Sequence, residues 1–174
     1  MLNRMAEEKI LVKLTRPHAR VDFLYSLKES KRKALKYPSH DHEVACGDVY
    51  IGLKKSGALE EWTYYPHDFT TVDPDRKARL AGIRQDLFLE VDRGTEPGWK
   101  LEKKILFYPP GPYQVIFVAP DDTRAEQILR ILESVRRGHQ FLVTLQEWMA
   151  TNPLGQVYVS PVEPAEKRSL RELQ

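Results

Sequence analysis

"DLFLEVDRGTE" (86–96), followed by "PGWKLEKKILFY" (97–108) and "YQVIFVAP" (113–120), decides the architecture. The first run is apolar enough for a strand and breaks at Gly94. Apolar residues then recur at helical spacing over about 96–108, until "PPGP" stops them. The last run is continuously apolar, as in strands covered on both faces. Strand, helix and buried strand in succession predict a crossover that sets the two strands parallel in one sheet.

Working upstream, "VDPDRKARLAGIRQ" (72–85) supplies another strand, hinged on Ala81-Gly82 before the one at 86–92. "LEEWTYYP" (59–66) and "DFTTV" (68–72) are two further short β-type runs. "HEVACGDVYIGLKKSG" (42–57) places Cys46, Val49, Tyr50 and Leu53 on one helical face, with Gly57 as the stop. Downstream, "DDTRAEQILRILESVRRG" (121–138) is a helix capped by Asp121 or Asp122 and ended by Gly138. "QFLVTL" (140–145) and "GQVYVSP" (155–161) are strands around a short helical "QEWMATN". Near the start, "KILVKLT" (9–15) fits a strand or a first helical turn, and residues 17–36 predict a helix with a basic tail. The expectation is an α/β fold, a mixed sheet flanked by helices. It divides into a basic helical extension (1–40), the α/β domain (41–162) and a polar tail (163–174).

The 174 residues, 41% of them apolar and 30% charged, suit one soluble domain, and a net charge of +2 does not by itself argue for nucleic acid. The lone Cys46 excludes an internal disulfide and a thiolate metal cluster. No apolar run approaches the roughly 20 residues that span a bilayer, and "MLNRMAEEKILVKL" lacks a signal peptide's features. A cytoplasmic protein with no membrane partner is expected.

Alternation along 86–92 puts Leu87, Leu89 and Val91 on one face of the sheet and Phe88, Glu90 and Asp92 on the other. Two carboxylates about 7 Å apart along a strand repel unless solvated, paired with a cation or bound to a metal. Asp75 would come alongside Glu90 if the chain doubles back at Ala81-Gly82. Asp75, Glu90 and Asp92 would then offer Mg²⁺ the few carboxylates it takes, with Lys104 near a water or phosphate. The bland alternative is a strand end whose acids are neutralised by Arg93 or Lys103.

"HEVACGDVYIGL", "VDPDRKARL", "LFLEVDRGTE", "LEKKILFY" and "YQVIFVAP", in that order, resemble the plasmid replication-relaxation family over about residues 40–133. That family is thought to be related to the PD-(D/E)xK nucleases, whose restriction-endonuclease-like core runs αβββαβ. The resemblance implies a DNA-processing protein of plasmids or mobile elements, acting in replication or relaxation by Mg- or Mn-dependent cleavage or nicking. It maps Glu43, Asp75 and Glu90 onto the catalytic acids. The usual lysine position holds Asp92, and Lys104 on the next helix would substitute. The alternative is a non-catalytic DNA- or protein-binding accessory module on the same fold. Family members commonly carry an N-terminal winged-helix domain, for which the roughly 40 residues before His42 are too few. Expected partners are DNA and replication or conjugation proteins, with a homodimer also expected.

Arg16, Arg20, Lys28, Lys31, Arg32, Lys33 and Lys36 form a basic run, which is either a solvated face or a phosphate track. "ESVRRG" offers a smaller patch. "SHDHE" (39–43) fits a helix start better than a histidine metal site. Trp62 and Tyr64 share one strand face and fit packing better than base stacking. Tyr108, one turn after Lys104, is expected to pack on the sheet rather than serve as a nucleophile. No glycine-rich phosphate loop follows any strand.

Overall fold

The computed structural model describes residues 11–14, 24–27, 39–64, 66–135, 140–159 and 167–170. The chain forms two compact units, Met1–Asp41 and His42–Gln174. In the first unit, β1 (Leu11–Leu14) pairs antiparallel with β2 (Leu24–Leu27), Leu11 opposite Leu27. Residues 24–27 are thus a strand, not part of the expected helix. "VDFLYSL" is rich in aromatic and branched residues, and an available partner strand outweighs weak helical spacing. The seven basic residues singled out above, from Arg16 to Lys36, lie outside the described residues, as do Arg136, Arg137 and Gly138.

The second unit is built on a seven-stranded sheet in which every neighbour in sequence is a neighbour in space. After α1 (Ser39–Lys55) come β3 (Leu59–Tyr64), β4 (Arg76–Leu80) and β5 (Asp86–Val91), an antiparallel meander. α2 (Gly98–Phe107) then carries the chain to β6 (Tyr113–Ala119), parallel to β5. α3 (Asp122–Ser134) carries it to β7 (Phe141–Leu145), parallel to β6. α4 (Gln146–Thr151), β8 (Gln156–Val159) and β9 (Lys167–Ser169) complete the sheet antiparallel. The expected mixed α/β sheet, with its αβββαβ order from α1 to β6, is present.

The parallel centre is the most buried part. Ile116 and Val118 point to one core with Leu87, Leu89, Val91 and the α1 residues Cys46, Val49 and Leu53. Val115 and Phe117 point to the other, with Phe88, Leu101, Ile105, Ile128 and Leu132. Two glycines fix the path. Gly82 has φ 80° at the third position of the β4–β5 turn, closed by Ile83 N donating to the Leu80 carbonyl at 3.0 Å. Gly52 lets α1 touch α4, since a Cβ there would lie 2.0 Å from the Met149 carbonyl oxygen.

A further expectation fails. "DFTTV" forms no strand, because its side chains are spent on packing. Phe69 packs edge-on or tilted among Phe88, Tyr108 and Tyr113, and the Thr71 hydroxyl donates to the Phe107 carbonyl at 2.8 Å. Part of the polar tail joins the sheet. Residues 167–169 pair with Gln156–Tyr158, giving β8 an outer ladder, and Leu170 is buried in the α1-side core.

Candidate functional site

The β4–β5 ladder pairs Lys77 with Phe88 and Arg76 with Leu89. One step further, the same register sets Asp75 opposite Glu90, where side chains on adjacent strands come within reach. The Val91 amide donates to Asp75 Oδ2 at 2.8 Å, which fixes the aspartate at the strand end. His42, in the first turns of α1, places Nε2 3.1 Å from Asp75 Oδ1 and 3.6 Å from Cys46 Sγ, one helical turn on. Glu90 lies under α2 and is buried. The Lys104 ammonium donates to Glu90 Oε2, and the Tyr108 hydroxyl donates to Oε1. Lys104 and Tyr108 reach it together because residues four apart stack on one helix face. That face flanks the buried Leu101 and Ile105, which anchor α2 to the sheet.

The cluster holds two acids and two cations. Burial pushes the Glu90 carboxyl up to about 8, with Asp75 adding to the rise and Lys104 and Tyr108 opposing it. Burial acts on Asp75 in the same sense, yet the hydrogen bond to His42 and the charge of Lys104 hold it below the ordinary carboxylate range. The hydrogen bond to Asp75, supported by Cys46 and opposed by burial, raises His42 to about 10, so the imidazole is cationic at neutral pH. Burial disfavours the Lys104 ammonium, but Glu90 and Asp75 raise it above the usual lysine range. Tyr108 is raised by burial and by Glu90, so its hydroxyl stays a donor and is a poor nucleophile.

Asp92 and Glu43 stand apart from this cluster. Asp92 Oδ2 accepts from Arg124 Nε at 2.8 Å, and Oδ1 accepts from the Gly94 amide at 2.6 Å. Arg124 is itself held by the Glu96 carbonyl at 2.7 Å and by Gln127. The grouping of Asp92 with Asp75 and Glu90 around one cation is therefore corrected: a buried guanidinium from α3 takes its carboxylate. Glu43 pairs with Arg76, which is fully buried, donates to the Asp75 carbonyl and lies 5.1 Å from the centre of the Tyr64 ring. Glu43 thus braces the backbone of Asp75 through Arg76.

Among the described residues, no group of three or more histidine, cysteine or acidic side chains is arranged to hold a metal ion. Asp75 and Glu90, the two acids expected to share a cation, both accept hydrogen bonds from protein donors.

The sequence did not reveal His42 and Tyr108 as members of the cluster. The helical spacing of Lys104 and Tyr108 carried a signal for the tyrosine. None existed for His42, whose partner is 33 positions away. The sequence did not single out Arg76 or Arg124, and their burial is what marks them.

A family model described as replication-relaxation matches residues 1–109 of the chain. No curated protein and no solved structure matches it.

Proposed function

The chain belongs to the replication-relaxation family, and from that premise we propose a DNA-processing protein of plasmids or other mobile elements that cleaves the phosphodiester backbone at Asp75, Glu90 and Lys104. Family membership implies the contact with DNA; cleavage at this cluster is the finer part of the proposal. The observation that carries it is the meeting of Asp75, Glu90 and Lys104 from three separate segments of an αβββαβ order. That is the arrangement a PD-(D/E)xK-type core would give, with its lysine moved to α2.

Asp75 and Glu90 would hold Mg²⁺ or Mn²⁺, which polarises a phosphoryl oxygen and acidifies a bound water. His42 keeps Asp75 ionised. Tyr108 orients Glu90 and supplies a proton donor at its second oxygen. Lys104 is the cation within reach of charge that develops on the phosphoryl group, the role in which a fixed ammonium lowers the barrier. Glu43 and Arg76 act at a distance, by holding the Asp75 backbone.

A second reading, a non-catalytic DNA-binding accessory module, is favoured by a different observation. Asp75 and Glu90 each already have a protein cation as partner, and Arg124 occupies the third acid. Incubation of supercoiled plasmid with Mn²⁺ separates the two readings. Nicking by the wild type that is lost in Glu90→Ala, with a metal-dependent rise in melting temperature, supports cleavage. DNA binding without nicking in either protein sinks cleavage and leaves the accessory module.

A further inference from the structure

α2 covers Glu90 with one side and shows solvent the other. The exposed side is unusual for a helix docked on a sheet: Trp99 is 63% exposed, Leu106 47% and Phe107 44%. Trp is among the residues that most often bury their surface, and exposed apolar groups gathered in one place mark binding sites. At about 100° per residue, Trp99, Lys103, Phe107 and Lys100 fall within one exposed arc of roughly 100°. Lys104 follows roughly 40° beyond Lys100, at the edge of the Glu90 pocket. Glu102, on the same helix, falls on the opposite flank of that arc.

Each exposed ring also carries its own cation. The Lys100 ammonium lies 5.6 Å from the centre of the Trp99 ring, and that of Lys103 lies 5.5 Å from the Phe107 ring. The first turn contains no acid, although a helix N-terminus favours one, and Lys100 stands there instead. Thr71 bonds to the Phe107 carbonyl and steadies the far end.

We propose that this face of α2 binds unpaired DNA, with bases stacked on Trp99 and Phe107 and flanking phosphates on Lys100 and Lys103, leading the strand to Lys104. The two rings are about 12 Å apart along the helix axis, at 1.5 Å per residue. Two flat apolar rings with two ammonium groups between them suit a single strand, whose unpaired bases can stack while the phosphates between them meet the lysines. A duplex keeps its base faces stacked and offers only the phosphates. The proposal rests on the DNA-processing reading and narrows it to a strand with unpaired bases.

The test is fluorescence anisotropy of a labelled oligo-dT with the full chain in EDTA, so that cleavage plays no part. Trp99→Ala should weaken binding from about fivefold to over a hundredfold, the range for losing one stacked base, and Trp99→Phe should recover most of it. Lys100→Ala with Lys103→Ala should lower the salt dependence by about 1.4 in log–log slope, two phosphates at about 0.7 each. Duplex DNA should bind with little dependence on Trp99. Unchanged oligo-dT binding in both Trp99→Ala and Phe107→Ala would overturn the proposal. So would loss of self-association in sedimentation with DNA binding intact, which would make the face a contact between two copies. Failure of the wild type to nick plasmid while these binding results hold would sink cleavage alone.

Discussion

Glu90 in β5 and Asp92 just past its end are two residues apart, yet they sit in opposite kinds of surroundings. Asp92 is clamped by a buried guanidinium and a turn amide, with Arg124 itself tied to Glu96 and Gln127. Every partner there is a fixed donor of matching geometry. Glu90 instead shares a buried space with a second acid, a lysine and a tyrosine, and is pushed up to about 8. Bringing like charges together costs stability unless something else is gained. The contrast separates an acid that serves the fold from one whose surroundings suit chemistry.

The comparison can be broken first through activity. Glu90→Gln should reduce plasmid nicking by about a hundredfold or more, the loss expected when a carboxylate is taken from a metal-assisted phosphoryl transfer. Asp92→Asn should leave the rate of correctly folded protein within a few-fold. The reverse result in a gel-based nicking assay would exchange the roles of the two acids.

Stability should show the opposite ranking. Arg124→Met leaves the buried Asp92 carboxylate without its cation and should cost about 3–5 kcal/mol in chemical denaturation. Tyr108→Phe removes only the hydroxyl that donates to Glu90 and should cost roughly 1.5–3 kcal/mol, with the helix otherwise unchanged. If Tyr108→Phe proved the costlier change, the Glu90 cluster would be the structural element of the two.

The third way to break the comparison is pH dependence. His42 is raised from 6.5 to about 10, so its contribution to stability is complete below about 6.5 and is lost as pH rises through 10. Asp75 is lowered, so its contribution is present above the ordinary carboxylate range and is lost in stronger acid. Glu90 is raised, so ionising it in the folded state opposes stability increasingly between about 4.5 and 8. NMR titration of the His42 ring should show it protonated well above pH 7, and Asp75→Asn should bring its midpoint back toward 6.5. A midpoint near 6.5 in the wild type would show that the two side chains are not paired.

Much of the sheet was legible because it obeys local rules. Alternation in "DLFLEV" set Phe88 and Glu90 against Leu87 and Leu89, and the Asp121 cap and the Ala81-Gly82 turn stand where composition put them. Failures occurred where long-range contacts outweighed local pattern. "DFTTV" looked like a strand, but Phe69 gains more by filling an aromatic pocket. Residues 167–169 looked like tail, but the free edge of β8 gave them a ladder to join.

Sequence alone determined the α/β class, the αβββαβ order apart from the extra strand expected at "DFTTV", and the family, because hydrophobic period, turn residues and short sequence motifs are local properties. It also brought Asp75 beside Glu90, since the strand register follows from a short turn. Only the tertiary structure decided what each acid does. The partners that neutralise Asp92, Glu43 and Glu90 lie between 14 and 33 positions away in the chain, and whether a charge is paired, braced or left beside another acid depends on the packing of helices.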